Sequence, residues 1–392
     1  MNSATRKRIC WVTTTPFIVN SFLRPHLEAL ACRYDVTLAL NLDDGYPLRA
    51  IDGLTRVAAV PIRRKISPVG DVIALFALVR EMVRGGYDAV HTFAPKAGLL
   101  GMLAAWIARV PVRMHTFQGE VWASRRGTTR ALLRLADVLI AKLATQVLVV
   151  GAGERSFLEG EGVLTPGRGI VLGNGSIAGV DIGRFRPDPQ ARARVREKLG
   201  VGESQFLILY LGRLARDKGV LDLTTAFSLA GPRIPDAMLV FVGPDEEGLS
   251  EEIRACAGTL ADRVRLEGYT ERPEDFLAAA SFVCVPSYRE GFSTVILEAA
   301  ACGVPAVASR IYGTQDTLID GLTGRFHAPA NVEELVNAIC DLAKDAARCT
   351  GMGRAARDRV LERFRVERLV SEMLLFYEHT LGAGEVRVQP RP

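Results

Sequence analysis

The sequence predicts two Rossmann-like α/β domains, each built on a doubly wound parallel sheet. Short apolar runs rich in β-branched residues alternate with longer helical patterns along almost all of the 392 residues, which is typical of parallel α/β units. The alternation stops at 173–190, which is rich in Gly, Pro and Asp, and then restarts. We therefore predict an N-terminal domain at 1–173, a linker at 174–190 and a C-terminal domain at 191–365, with a ligand-binding cleft between the facing strand ends.

The predicted elements alternate in the same way in both halves. The first half has predicted strands at 8–14, 35–40, 56–60, 88–91, 112–115, 146–150 and 169–172, and helices at 22–33, 68–84, 94–108 and 128–143. The second half has predicted strands at 206–211, 238–242, 263–266, 282–286 and 305–308, and helices at 219–229, 249–260, 274–280, 294–302, 332–344 and 351–363. A last amphipathic helix is predicted at 366–381, and we expect 382–392 to be disordered.

Charge is distributed unevenly along the chain. The net charge is +5, but residues 1–180 hold 22 Lys and Arg against 13 Asp and Glu, a net charge of +9. A basic half suits an anionic partner such as phosphate, a lipid surface or nucleic acid, and a solvated basic surface without a partner is the alternative. No recognised nucleic-acid module or aromatic stacking platform is present, which argues against nucleic acid.

The cysteine pattern and the hydropathy of the sequence indicate the cellular compartment of the protein. The seven cysteines form no CxxC pair, which favours reduced thiols and offers no zinc site. The longest apolar stretch, 97–108, is too short to span a bilayer. We therefore expect a cytoplasmic protein, either free or held on the inner face of the cytoplasmic membrane.

The clearest chemical motif lies at 286–305, PSYREGFSTVILEAAACGVP. A predicted strand ends in a loop where Gly291 lets the backbone approach a ligand closely. Ser293 and Thr294 begin a helix, and the free N–H groups of a helix start, with these hydroxyls, bind anions. A helix that is simply capped by Ser or Thr is the alternative interpretation.

Two carboxylates flank this helix start. Glu290 lies on the loop, and Glu298 lies one turn beyond Thr294, so both point towards the same end of the helix. A carboxylate at Glu298 can accept two hydrogen bonds from a ribose diol. Two solvated glutamates are the alternative.

Two other predicted strands end in polar or charged side chains. Arg213 and Lys218 follow the strand that ends in Leu211 and Gly212, and two cations at the carboxyl end of a strand suit a diphosphate. His115 ends a strand in the first half, where a neutral imidazole suits a sugar hydroxyl. Surface charges and a structural histidine are the alternatives.

Together these segments resemble family 4 of the retaining GT-B glycosyltransferases, and the resemblance covers nearly the whole chain. It is carried by Glu290 and Glu298 as a Glu-x7-Glu motif, by Arg213 with Lys218, by the His-Thr-x-x-Gly segment at His115, and by the linker that runs from Asn174 to Pro187. It implies an acceptor-binding N-terminal domain, a C-terminal domain that binds a nucleotide sugar, and a last helix that crosses back to the first domain.

The resemblance also implies a role for each residue. Arg213 and Lys218 bind the donor diphosphate, Glu298 holds the ribose hydroxyls, Glu290 contacts the transferred sugar, and His115 lies near the reacting centre. Backbone contacts to phosphate and sugar are implied for Gly291, Phe292, Ser293 and Thr294. The base pocket is bounded by Gly268, Tyr269 and Thr270.

Charge accounts for the expected chemistry. Breaking the sugar–phosphate bond builds negative charge on the leaving diphosphate, which fixed cations and a helix N-terminus stabilise where other folds use a metal. Because the sequence has no Asp-x-Asp pair, we expect no divalent metal and no other cofactor. In the family the leaving phosphate is thought to take the acceptor proton on the same face, which retains configuration. Glu290 as a nucleophile is the alternative.

The acceptor side is suggested by 90–98, which resembles family members that build capsule, O-antigen or other glycans on polyprenyl diphosphate. Lys96 at a predicted helix start suits an acceptor phosphate, and an exposed lysine is the alternative. Arg63–Lys65 and Arg125 with Arg126, near Trp122, suit anionic lipid headgroups. Many members carry Gly-Gly after the first strand, whereas this chain has 13–16, TTTP, so acceptor contacts cannot be transferred to that turn.

The favoured reaction is transfer of a hexose or N-acetylhexosamine from a UDP-sugar to a lipid-linked saccharide. A hydrolysing UDP-sugar 2-epimerase keeps the fold and differs in releasing free sugar without an acceptor. A non-catalytic module that binds nucleotide sugar or lipid is the second alternative, and the presence of all four charged site residues argues against it.

Overall fold

The computed structural model describes residues 6–43 and 45–382. The chain forms two compact units, one running to Ala178 and resuming at Val366, and the other running from Gly179 to Arg365. We call them unit 1 and unit 2. The expected disordered tail lies outside the described residues, except for Gly382, which ends the last helix.

Unit 1 is built on a parallel sheet of seven strands in the order β3-β2-β1-β4-β5-β6-β7. The first six follow the Rossmann order 3-2-1-4-5-6, in which the chain reverses direction across the sheet between β1 and β4. The strands are β1 Arg8–Val12, β2 Asp35–Leu40, β3 Arg56–Ala59, β4 Ala89–Phe93, β5 Val112–Phe117, β6 Gln146–Val149 and β7 Gly169–Val171.

Unit 2 repeats this topology with six parallel strands in the order β10-β9-β8-β11-β12-β13. Its reversal point lies between β8 and β11, which are neighbours in the sheet. The strands are β8 Phe206–Leu211, β9 Ala237–Val242, β10 Val264–Leu266, β11 Phe282–Val285, β12 Ala306–Ser309 and β13 Gly324–His327. The predicted fold class, two doubly wound Rossmann-like domains, is confirmed.

Helices connect the strands of both sheets. A short helix, α1 Pro16–Ile18, continues through a π-helical turn at Val19–Leu23 into α2 Arg24–Ala31. The other helices of the first half are α3 Pro68–Gly85, α4 Pro95–Ile107, α5 Gly127–Leu143 and α6 Ala152–Gly160. Those of the second half are α7 Pro189–Leu199, α8 Val220–Ala230, α9 Ser250–Ala257, α10 Pro273–Ala279, α11 Thr294–Ala301, α12 Val332–Ala343, α13 Ala346–Arg363 and α14 Val366–Gly382. Among the described helices, none is long and apolar enough to cross a membrane.

The central strands β1, β2 and β4 of the unit 1 sheet are buried on both faces, so apolar residues predominate in them. On β1, Cys10 and Val12 pack with the core formed by α3, α4, α5 and α6. Ile9 and Trp11 face the other way, into a core shared with α2 and α14. Residues from the end of the chain are therefore part of the core of the first unit.

A buried polar chain fixes α14 in that core. The Tyr377 hydroxyl accepts a hydrogen bond from Trp11 Nε1 at 2.8 Å and lies 2.7 Å from His91 Nδ1. His91 Nε2 lies 2.7 Å from Thr116 Oγ1. Tyr377 and His91 are fully buried, so each contact satisfies a group that water cannot reach.

Four of the described elements were missing from the predicted set: α1, α6, α7 and β13. Helix α7 begins inside the predicted linker, because Asp188 accepts a hydrogen bond from Ala191 N at 2.9 Å and Pro189 occupies the first helical turn. An N-cap Asp and a Pro in the first turn both signal the start of a helix. The same Asp-Pro pair is also common in loops, so the segment was assigned to the linker.

Replacing Tyr377 with Phe should lower the free energy of unfolding by about 2 kcal/mol, because Trp11 Nε1 and His91 Nδ1 lose a buried partner. Urea unfolding followed by tryptophan fluorescence measures the change. Tyr46 is about half exposed, at 49%, so Tyr46→Phe is the matched control and should change stability by less than about 0.5 kcal/mol. Equal stability of the two variants would contradict a structural role for this polar chain.

Candidate active site

The predicted diphosphate residues of unit 2 lie at the reversal point of its sheet. Strand β8 leads through Gly212 to Arg213 and Lys218, and the neighbouring β11 leads to the loop 286–293. Ligands of open α/β sheets bind outside the carboxyl ends of the strands at this point. The topology therefore brings two of the sequence motifs to one edge of the sheet.

The two segments are joined through Asp217. Its carbonyl oxygen accepts a hydrogen bond from Tyr288 N at 2.9 Å, and its carboxylate lies 3.3 Å from Arg289 Nη2. Gly219 has φ +69°, and a Cβ atom there would lie 2.2 Å from the carbonyl oxygen of Pro286. Only glycine allows the Lys218 turn to approach the loop this closely.

Lys218 and Glu290 form an ion pair at the centre of this junction. Lys218 Nζ lies 2.8 Å from Glu290 Oε1, and the Ser287 hydroxyl donates to the same oxygen at 2.7 Å. Both side chains of the pair are 17% exposed. The loop is held from the other side, since a Cβ atom at Gly313 would lie 2.1 Å from the Glu290 carbonyl oxygen. A cation and a carboxylate are thus fixed at one place with limited access to water.

Arg213 also has an acidic partner, which the sequence motif did not indicate. Its Nη1 lies 2.5 Å from Glu246 Oε2, and the two side chains are 37% and 41% exposed. Burial tends to lower the pKa of Arg213, but the hydrogen bond and charge of Glu246 raise it overall, with a smaller contribution from Asp217. Because exposed ion pairs are weak, a phosphate can replace the Glu246 carboxylate at small cost.

Tyr210 contacts the backbone of Arg213 and was not predicted as a site residue. Its hydroxyl donates to the Arg213 carbonyl oxygen at 2.6 Å, and its ring is buried. Burial raises the pKa of Tyr210, and the negative charge of Glu290 raises it further. The residue is therefore a neutral donor beside both ion pairs. The only sequence signal for Tyr210 is its position near the end of β8, two residues before Gly212.

The start of helix α11 carries the predicted anion site. Ser293 is the buried N-cap residue, yet its side chain makes no capping hydrogen bond. Its own N–H donates to the Gly313 carbonyl oxygen at 3.0 Å. Thr294 begins the helix, and Phe292 is buried with its ring centroid 6.2 Å from that of Phe364.

Glu298 lies on α11 and is partly buried. Burial raises its pKa to about 7, the charge of Arg184 opposes the shift, and the charge of Glu274 adds to it. Arg184 and Glu274 are themselves joined at 2.9 Å. Near neutral pH this carboxyl group is therefore close to half ionised.

The segment with Tyr269 lies beside a row of glycines. Gly268 accepts a hydrogen bond from Gly243 N at 2.7 Å, and a Cβ atom at Gly243 would lie 1.9 Å from the Gly212 carbonyl oxygen. The Tyr269 side chain is 64% exposed. The three glycines Gly212, Gly243 and Gly268 follow the ends of β8, β9 and β10.

His115 belongs to unit 1 and is almost fully buried. The prediction that it ends a strand is wrong, because β5 continues for two more residues to Phe117. His115 Nδ1 lies 2.7 Å from Thr92 Oγ1 on the neighbouring strand β4. Burial lowers the pKa of His115 to about 3, so the imidazole is neutral at physiological pH. A Cβ atom at Gly98 would lie 2.5 Å from His115 Cε1, so a glycine is needed where α4 passes the ring.

For the acceptor side, one expectation is wrong and one alternative is excluded. Trp122 is buried, donating from Nε1 to Asp137 at 2.6 Å and stacking on Phe157, so it cannot contact lipid headgroups. Lys96 is not a simple exposed lysine, since its Nζ lies 2.5 Å from Asp71 and donates to the Lys65 carbonyl oxygen at 2.6 Å.

Among the described residues, no group of three or more His, Cys, Asp or Glu side chains is arranged to hold a metal ion. The expected metal independence stays a prediction.

Both units match models of known protein families. Residues 22–175 match the glycosyl transferase 4-like domain, and residues 191–359 match glycosyl transferases group 1. The chain is 27% identical over 353 residues to UDP-Gal:alpha-D-GlcNAc-diphosphoundecaprenol alpha-1,3-galactosyltransferase of Escherichia coli, covering 88% of this chain and 89% of that protein. It is 30% identical over 308 residues to alpha-maltose-1-phosphate synthase of Mycolicibacterium smegmatis, covering 74% of this chain and 78% of that one.

A solved structure shows the same fold. The crystal structure of Anabaena Alr3699/HepE in complex with UDP and glucose superposes with a TM-score of 0.80 and 21% identity. The match covers 95% of this chain and 100% of that one. This likeness, with the two Rossmann-like units, confirms the predicted GT-B fold class.

Gly219→Ala should lower the free energy of unfolding more than Gly200→Ala does. The new Cβ atom clashes with the Pro286 backbone and strains a positive φ, so we expect a loss of roughly 3 kcal/mol in unfolding free energy. Gly200 has φ +68° with nothing within 4 Å of an added Cβ, so Gly200→Ala is the control and should cost only about 1 kcal/mol. Thermal unfolding of both variants tests this, and similar losses would mean that Gly219 is needed for its φ alone.

Proposed function

The chain belongs to the glycosyl transferases of group 1, and from this membership we propose that it transfers a hexose or N-acetylhexosamine from a UDP-sugar to a lipid-linked saccharide. Configuration is retained, and no divalent metal takes part. The observation that supports the proposal most is the Lys218–Glu290 ion pair at the reversal point of the unit 2 sheet.

The ion pair suggests how the donor is received. A diphosphate that approaches Lys218 competes with Glu290 for the ammonium group, and phosphate is the more highly charged partner. Once displaced, the Glu290 carboxylate is free to accept hydrogen bonds from hydroxyls of the sugar. Glu290 then positions the sugar and does not attack it. The same exchange of partners therefore puts Lys218 against the leaving phosphate and Glu290 against the sugar.

Arg213 undergoes a similar exchange. Its contact with Glu246 is exposed, so the diphosphate replaces a weak partner and gains a guanidinium group that is fully protonated. As the sugar–phosphate bond lengthens, negative charge grows on the leaving phosphate. In this proposal Lys218, Arg213 and the N–H groups at the start of α11 stabilise that charge, which is the role a magnesium ion has in other folds.

The rest of the nucleotide follows the same edge of the sheet. Glu298 accepts hydrogen bonds from the ribose hydroxyls, and the surface beside Tyr269 receives the base. Backbone atoms of 291–294 line the phosphate and sugar. The E. coli relative, which is named for a UDP-Gal donor and a diphosphoundecaprenol acceptor, supports both the UDP donor and the lipid-linked acceptor.

His115 on β5 is a neutral hydrogen-bonding group in this proposal. Its low pKa excludes a cationic imidazole at physiological pH, so it does not act as a general acid there. Because the ring is almost fully buried with Nδ1 next to Thr92, the proposed contact with a sugar hydroxyl is left to Nε2. The proton of the acceptor hydroxyl passes to the leaving phosphate on the same face of the sugar, which accounts for retention.

Lys218→Ala should reduce kcat on the order of 10²- to 10³-fold, because a preorganised charge on the leaving group is lost. Steady-state rates with a UDP-sugar and a polyprenyl-diphosphate acceptor measure this. Lys198 pairs with Glu267 and its side chain is 61% exposed, so Lys198→Ala is the matched control and should keep its rate. A Lys218→Ala enzyme with normal kcat would refute the leaving-group role, and free sugar released from donor alone would indicate an epimerase.

The affinity for UDP should rise with pH between 6 and 8. Burial places the pKa of Glu298 at about 7, so the ionised form that accepts ribose hydrogen bonds becomes about tenfold more abundant across this range. Calorimetric titration of UDP at several pH values measures the dependence. Glu298→Gln removes one titrating group, so its affinity should be lower at pH 8 and should rise less with pH, by the part that comes from ionisation of the terminal phosphate of UDP, whose pKa is about 6. An unchanged pH profile in this variant would assign the dependence to another group.

A further inference from the structure

Two glutamates of unit 1 are buried side by side at the carboxyl edge of its sheet. Glu120 lies in the loop 118–126 that follows β5, and Glu154 lies in the first turn of α6, which follows the neighbouring strand β6. They are 1% and 0% exposed, and their side chains are in hydrogen-bond contact. We call Glu120 and Glu154 the carboxyl pair. Glutamate is almost never fully buried without a partner, and the sugar transfer proposed above gives neither residue a role.

Glu154 joins the loop after β5 to the segment before α6. Its Oε1 accepts a hydrogen bond from Gly119 N at 2.5 Å, and its Oε2 accepts one from Val150 N at 2.8 Å. Gly119 has φ +96°, a conformation that favours glycine, and it lies directly before Glu120. Both oxygens of Glu154 therefore hold backbone N–H groups, and these belong to two separate segments of the chain.

The contact between the two carboxyl groups requires a proton. An ionised carboxylate only accepts hydrogen bonds, so two of them cannot bond to each other. Two buried charges of the same sign at this distance also repel, and such pairs of carboxyl groups share one proton. Since both oxygens of Glu154 already accept backbone N–H groups, Glu120 is the better donor of that proton. Burial, and then the charge of Glu120, raise the pKa of Glu154 well above its ordinary value, against the two backbone hydrogen bonds.

The charged and titratable side chains on the elements around the carboxyl pair are engaged elsewhere, exposed or neutral. Those with hydrogen bonds or ion pairs of their own are Arg130, Arg134, Asp137, Glu159, Glu161 and Arg168, and those that are exposed are Arg125, Arg126 and Lys142. His115 on β5 is neutral, because burial lowers its pKa to about 3. Arg155 follows Glu154 on α6 and lies against β7, where its Cγ would be 3.2 Å from a Cβ atom at Gly169. The shared proton therefore compensates the repulsion within the pair.

We propose that the shared proton of the carboxyl pair holds loop 118–126 in place, and that the loop opens more often as rising pH removes this proton. When the loop opens, both glutamates reach water, where each is ionised above a pH of about 4.3, so opening releases one proton. The stability that the pair gives to the closed loop is complete below that pH and is lost as the pH rises towards the raised pKa of the pair. Because ligands of doubly wound sheets bind at the carboxyl edge, unit 1 has a pH-sensitive element at that edge. The proposal goes beyond sugar transfer and requires none of the unit 2 site residues.

Hydrogen exchange of the full chain, followed by mass spectrometry at pH 6, 7 and 8, tests the proposal. In Glu120→Gln the side-chain amide donates to Glu154 without a titrating proton, so opening of the loop should release none. For the peptides that contain Gly119 and Val150, we compare the opening constant of the unchanged protein with that of Glu120→Gln. Their ratio should rise by up to about tenfold for each pH unit. Comparison at the same pH cancels the chemical dependence of exchange on pH.

The loop of Glu154→Gln should open more readily at every pH than that of Glu120→Gln. A single amide oxygen can accept from only one of the N–H groups of Gly119 and Val150, since these bind different oxygens of the carboxylate. Glu159 lies on α6 outside the pair, so Glu159→Gln is the matched control and should keep the pH dependence of the unchanged protein. Peptides of β1 and β8 should exchange alike in all four proteins, which shows that both units are folded. The proposal is overturned if the unchanged protein and Glu120→Gln have the same pH dependence, or if Glu154→Gln exchanges as slowly as Glu120→Gln.

Discussion

The ion pair between Lys218 and Glu290 is the interaction on which the proposed chemistry depends. It holds a cation and a carboxylate 2.8 Å apart at the reversal point of the unit 2 sheet, in a position where both are only slightly exposed. A partly buried ion pair is weak evidence for stability. The proposed function accounts for this pair as two charges that a nucleotide sugar can use.

The backbone around the pair is built for close approach. Gly219 lets the lysine turn contact Pro286, Gly313 lets its own segment contact the backbone of Glu290, and Gly243 lies against Gly212. Asp217 ties the two segments together through both its carbonyl oxygen and its carboxylate. These contacts fix the charges before a ligand arrives, so little reorganisation is needed when charge develops on a leaving group.

The sequence was sufficient to predict the features that follow from local pattern. Alternating apolar strands and amphipathic helices gave two doubly wound sheets, and strand ends gave the positions of Arg213, Lys218 and Glu290. Contacts between residues distant in sequence were not predictable in this way. The pairing of Arg213 with Glu246 and the burial of Trp122 against Asp137 depend on tertiary packing, and nothing in the spacing of these residues signals it. The exposure of the apolar side chains Val69, Ile73 and Phe76 on α3 was missed, because their spacing is the same as that of a helix packed in a core.

The most direct test is a crystal structure of the chain with UDP bound. If the diphosphate displaces Glu290, Lys218 Nζ should lie about 3 Å from a phosphate oxygen, at ordinary hydrogen-bonding distance, and beyond ion-pair distance from Glu290. A structure in which UDP is bound while Lys218 still contacts Glu290 and no phosphate would contradict the exchange of partners at the centre of this mechanism.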